Sequence, residues 1–198
     1  MNMHTNLQAV ANSISDLETW PLRDVVNDTK HRAFCGPTAV ACITRQPISV
    51  VKDAFRLVRY GSGWTFRSHT PAIMGVTMWE LTHVMRLFGF NGEWRSLSRY
   101  PTVARWLETR SGLERTNPVI LHVTGHFVTV RGWEFCDTFS KGQVVDALEA
   151  PGRRKKVKDV FVLTGRLPTS TPIPSRSSST HRIASCSETA GQVRLSTV

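Results

Sequence analysis

Long hydrophobic runs are missing from this 198-residue chain, and no stretch stays apolar for the ~20 residues that a membrane-spanning helix requires. The N-terminus lacks a basic segment leading into an apolar run, so no secretory signal and no membrane partner are expected. Cysteine is scarce. Cys35, Cys42, Cys136 and Cys186 form no CxxC pair, and the pattern predicts free thiols in a reducing, cytoplasmic compartment. A zinc site drawn from His31, Cys35, His126 and Cys136 has a spacing unlike the common zinc modules, so no metal is expected. Acidic residues are also few, 15 against 25 Lys and Arg, for a net charge of +10. That excess is uneven: residues 151–198 hold nine Lys and Arg against two Asp and Glu. The basic character therefore belongs mainly to the C-terminal quarter.

What is present fits one soluble domain with room for a core, plus appendages. Leu7, Val10, Ala11, Ile14 and Leu17 recur at helical spacing and predict an N-terminal amphipathic helix over 6–18, within an appendage spanning 1–20. A helix follows from Cys35 to about Thr44 or Arg45, where Gln46-Pro47 breaks it. Ser49 is the expected cap of the next, which runs to Tyr60 with Val51, Phe55 and Val58 inward. Residues 61–71 read as a loop rich in Gly, Ser and aromatics. Thr77 and Glu80 match a capping box for a helix that stops at Gly89. Tyr100-Pro101 opens another, ending near Ser111-Gly112, and Trp64, Phe66 and Trp94 fall in loops.

The texture then changes. Residues 118–123, 126–130, 133–137 and 157–163 are short and rich in β-branched or aromatic residues, the composition of strands. Helices first and strands second predict an α+β fold, N-terminal helices packed on a C-terminal antiparallel sheet. Residues 166–198 are rich in Pro, Ser and Thr and predict a disordered tail. The main domain is thus bounded at 21–165.

Two places carry chemistry. Cys35 opens its helix, and Gly36-Pro37 suit a first turn where a missing N–H does no harm. Unpaired N–H groups and the positive end of the helix dipole favour a thiolate there. Far downstream, a two-residue turn at Arg131-Gly132 would pair Val130 with Trp133, Val128 with Phe135, and His126 with Asp137. Opposed residues share a face, so this register sets an imidazole beside a carboxylate. A carboxylate on one ring nitrogen fixes the tautomer and leaves the other nitrogen for a thiol proton. The alternative reading of each feature alone is a packing cysteine and a surface His–Asp pair.

Cys35-Gly36-Pro37-Thr38-Ala39, then Gly125-His126-Phe127-Val128-Thr129-Val130 and a strand ending in Asp137, together resemble the papain-like cysteine peptidases. The likeness is to the compact C39-like type, which includes phage and bacterial members, and it covers residues 25–165. It implies a papain-like fold, a peptide or protein substrate, and no metal or organic cofactor. Cys35 would be the nucleophile, His126 the general base and acid, and Asp137 its orienter. The resemblance departs at Thr29, where these enzymes usually carry an oxyanion-binding Gln. Asn27, Thr29 and the Cys35 backbone N–H are the candidates for that task, with His31 weaker.

The same triad also fits thioester acyl transfer. A different class is a non-catalytic or virion-associated protein that holds nucleic acid through Arg153, Arg154, Lys155, Lys156 and Lys158. The plainer reading of that run is a solvated loop.

Overall fold

A computed structural model describes residue 17, residues 19–168 and residues 173–175. The helix predicted over 6–18 lies outside these except for Leu17, which is fully buried, and most of the predicted tail lies outside them too.

Small and apolar residues surround the whole of α1 (Cys35–Thr44), nine of its ten residues are buried, and it therefore forms the centre of a layer rather than its rim. It stops where Arg45 turns left-handed at φ 62° and returns its N–H to the Ala41 carbonyl. α2 (Ile48–Tyr60) buries Val51, Ala54 and Phe55 beside it. Ser49 does not cap this helix from outside, as the sequence predicts; it lies within the first turn. The cap is supplied from a distance by Asp28, whose carboxylate accepts from the Ser49 amide at 2.9 Å and from its hydroxyl. That contact fastens the loop before Cys35 onto α2.

A short 3-10 helix (Ser62–Phe66) interrupts the predicted loop and buries Trp64, while Phe66 stays exposed. α3 (Met78–Leu87) begins at the predicted capping box: Thr77 accepts from the Glu80 amide and Glu80 accepts from the Thr77 amide. Arg59 of α2 donates to Glu80 at 2.5 Å, and this bond is the main reason its carboxyl titrates below the usual range.

Chain order departs from the sequence reading at Trp94, which lies in a strand, β1 (Phe90–Ser96), rather than in a loop. Phe90 and Gly92 face the core, while Glu93 and Arg95 face solvent. At Gly92 the backbone lies so close to its neighbour that an added Cβ would fall 2.6 Å from Phe161 Cζ and 2.7 Å from the Val162 carbonyl oxygen. Gly92→Ala is expected to cost about 1–3 kcal/mol, the range for an overpacked core, read as a lower denaturant midpoint. The helix predicted from Tyr100-Pro101 starts instead at α4 (Val103–Thr109), because Thr102 accepts from the Arg105 amide and so acts as its cap. A single turn, α5 (Leu113–Thr116), follows.

β2 (Val119–Val123), β3 (His126–Arg131), β4 (Glu134–Cys136), β5 (Val145–Asp146) and β6 (Val157–Arg166) complete a six-stranded antiparallel sheet in the order β1-β6-β2-β3-β4-β5. The architecture is α+β. One face carries Ile120, Phe127, Phe161 and Leu163 against α1, α2 and α3. The other carries Leu121, Val128 and Val160 against Val103, Trp106 and Leu107 of α4. Helices therefore cover both faces, not one.

Candidate active site

Cys35 is the first residue of α1, preceded by Phe34, which offers no side-chain oxygen as a cap. No acidic residue lies in that first turn. The donors at this helix end are thus left to the sulfur and to whatever approaches it. Gly36 permits tight seating of the turn: a Cβ there would lie 2.8 Å from Val76. Thr129 of β3 donates to the Ala39 carbonyl at 3.3 Å, pinning the helix onto the strand that begins with His126.

This docking brings the sulfur to the imidazole. The His126 ring and the backbone amides of Phe127 and Gly36 are the groups around the Cys35 thiol that favour its ionised form. His126 Nε2 lies 3.1 Å from Asp137 Oδ2, which leaves Nδ1 for the sulfur. Asp137 is almost wholly buried, and its other oxygen accepts from the Phe139 amide at 2.8 Å and the Ser140 amide at 2.7 Å. Phe139 covers the pair, its ring 5.0 Å from that of His126, and Lys155 Nζ lies 4.6 Å from the Phe139 ring centre.

The route to this pairing differs from the predicted one. Arg131 pairs with Glu134, Val130 with Phe135 and Thr129 with Cys136, so the turn is Gly132-Trp133 rather than Arg131-Gly132. Gly132 has φ 51°, and a left-handed first turn position is one that glycine occupies without cost and arginine does not. The register moves by two residues, making His126 and Asp137 diagonal rather than directly opposed. An even shift keeps both on one face.

Electrostatics follow from these contacts. Burial opposes ionisation of Cys35, but bonds from the His126 ring and from two amides outweigh it, and the thiol titrates below its ordinary value. Burial likewise opposes protonation of His126, yet Asp137 and the Cys35 sulfur outweigh it and raise the imidazole above its ordinary value. Opposite shifts on touching groups favour a thiolate–imidazolium pair. Cys42 behaves in the other sense. It is buried, hydrogen-bonded to Cys136, and held above the usual thiol range first by that bond and then by burial.

The residues weighed for oxyanion binding are spread over one loop. Asn27 Oδ1 accepts from the Thr29 amide and hydroxyl, and Asn27 Nδ2 donates to the His31 carbonyl at 3.1 Å. The Thr29 hydroxyl lies 3.0 Å from that same carbonyl and accepts from Lys52 Nζ of α2 at 3.4 Å, so its hydrogen bonding is already committed. Asn27 alone of the two lines a cavity of about 430 Å³, which opens between this loop and residues 138–142.

Of the basic run, Arg153 donates to the Leu148 carbonyl at 2.5 Å and Lys155 lies against Phe139, while Arg154, Lys156 and Lys158 are exposed. His122, which has no assignable partner in sequence, lies 2.8 Å from Asp159, and Asp159 accepts from Ser96 at 2.6 Å. These three join β2, β6 and β1 in a row; only the strand order, not local spacing, aligns them. Among the described residues, no group of three or more His, Cys, Asp or Glu side chains is placed to hold a metal ion. A scan against protein-family models matches none, and a search of curated proteins likewise finds no match.

Proposed function

We propose that the protein is a papain-like cysteine peptidase, an amide hydrolase that works through a thioester on Cys35. The observation that carries this reading is the Cys35 sulfur set beside the His126 ring, whose Nε2 lies 3.1 Å from the buried Asp137 carboxylate. The thiolate attacks the substrate carbonyl, and the Cys35 N–H at the uncapped helix end donates to the developing oxyanion. Asn27 is the second donor of this reading. His126 passes its proton from Nδ1 to the leaving amine as the C–N bond breaks. Water then attacks the thioester, giving its proton back to His126; the acid departs and the thiolate is restored. This chemistry requires neither a metal nor an organic cofactor. Acyl transfer would differ only in the group that replaces water.

Selective alkylation tests the reading. At neutral pH iodoacetamide should modify Cys35 ahead of Cys42, Cys136 and Cys186, and equal labelling of all four would end the proposal. The pH dependence has a definite sign. As pH falls through the lowered Cys35 value, the thiolate is protonated and the nucleophile is lost. As pH rises through the elevated His126 value, the imidazolium loses its proton and the leaving amine is no longer protonated. kcat/KM should therefore be bell-shaped, with its acid limb below the ordinary thiol range and its alkaline limb above the ordinary imidazole range. A profile that only rises toward alkaline pH, as for an unassisted thiol, contradicts the ion pair.

A further inference from the structure

The cavity of about 430 Å³ is bounded by Ala33, two residues before the nucleophile, by Thr38, one turn after it, and by Phe139, which covers His126. Neither Cys35 nor His126 lines it, and it lies beside them through these neighbours. Its charged lining residues are Arg32 and Lys141, and no Asp or Glu takes part. Neither cation is held in an ion pair or side-chain hydrogen bond among the described residues. Lys141 is not on a loose tip: the Gly142 amide donates to the Asp137 carbonyl and the Gly142 carbonyl accepts from Val25, each at 2.8 Å. Thr38, 1% exposed, carries a buried hydroxyl with no partner at this wall.

We propose that this cavity selects a substrate carboxylate next to the scissile bond, with Arg32 and Lys141 as its recognition groups. The inference rests on Cys35 as the nucleophile, and it names the substrate class: acidic peptides. Val25, Ala33 and the Phe139 face supply apolar contact for the methylene stem, and the two cations receive the charge. The carboxylate has two sources, an internal Asp or Glu side chain or the free C-terminus of a chain.

The test compares anionic iodoacetate with neutral iodoacetamide on the full-length protein, reading Cys35 modification by mass spectrometry. The ratio of the two rates cancels thiol reactivity common to both reagents. It should exceed the ratio for 2-mercaptoethanol by about 10-fold, the effect of roughly 1.4 kcal/mol of charge attraction, and fall toward that reference in Arg32→Gln/Lys141→Gln. A ratio that does not exceed the reference, or that the double substitution leaves unchanged, overturns the proposal. Slow iodoacetamide labelling of Cys35 would instead count against the peptidase reading, so the two failures are distinct. Quenched peptides carrying internal Glu or Gln, and peptides ending at a free or amidated residue, then separate the sources. Faster cleavage in either acidic series supports the cavity's role; equal or faster cleavage of the neutral member in both overturns it.

Discussion

Cys35→Ala is expected to remove peptide hydrolysis almost completely, a loss of about 10⁶-fold in kcat if the nucleophile and its base act as one unit. Alanine keeps the Cβ and the helix but has nothing to attack with, and water at the same place has no thioester route. Cys35→Ser is nearly as damaging. Its hydroxyl ionises far above the reach of the His126 ring, whereas the sulfur of Cys35 is already displaced below its ordinary value. The helix gives this substitution little structural penalty: Cys35 is the first residue of α1 and only partly buried, and α1 is anchored elsewhere by Thr129 and by its own buried length. The measurement is turnover of a peptide library by wild type and variant, with melting temperature to show that both are folded. Equal turnover by the two would remove Cys35 from the chemistry. His126→Ala gives an independent check, because burial is the largest influence on Cys35 and acts against ionisation. With the ring gone, alkylation of Cys35 should slow at neutral pH and recover only toward alkaline pH.

The pairing of imidazole and carboxylate was legible in the chain because strand side chains alternate, and alternation survives an error of two residues. The turn was misplaced by one position at each end: Arg131 is a poor residue for a left-handed first position, and Gly132, at φ 51°, takes that position instead. Local signals were equally informative at the Thr77–Glu80 capping box and at the end of α1 before Gln46-Pro47. Distant ones were not. Asp28 caps α2 across 21 residues, and no local pattern shows that Ser49 receives its partner from there. β1 was missed because Asn91, Gly92 and Glu93 disfavour strand in isolation; its pairing with β6 and the contact of Gly92 with Phe161 overrule that preference. The row Ser96–Asp159–His122 depends on β6 inserting between β1 and β2, a topological fact with no counterpart in residue spacing. Phe139 over His126, and the cavity between the loop at residue 27 and the loop at residue 141, are likewise products of the packed fold. Candidate chemistry was therefore written along the sequence, while the surroundings that shape its substrate were not.

Asp137→Asn isolates what the third residue of the path does. Asp137 divides its oxygens: Oδ1 accepts two backbone amides, from Phe139 and Ser140, and Oδ2 faces His126 Nε2. An asparagine must keep its carbonyl oxygen on those two amides, because turning the amide group around would set N–H against N–H twice in a buried place. Its NH₂ group then points at Nε2. The ring can meet that donor only as a neutral imidazole with its proton on Nδ1, facing the sulfur. In that tautomer Nδ1 cannot accept the thiol proton, and the imidazolium that would stabilise the thiolate is disfavoured. The loop geometry is preserved and the catalytic tautomer is not. A loss of about 10⁴-fold in kcat is expected, the scale known for a wrong-tautomer substitution in a triad of this logic. The accompanying signature is a shift of the Cys35 alkylation profile to higher pH with little change in melting temperature. Asp137→Ala should differ in kind, destabilising the 137–142 loop because two backbone amides lose their acceptor. If Asp137→Asn retains wild-type kcat and the same alkylation profile, Asp137 serves only to hold its loop, and the path through His126 ends one residue earlier.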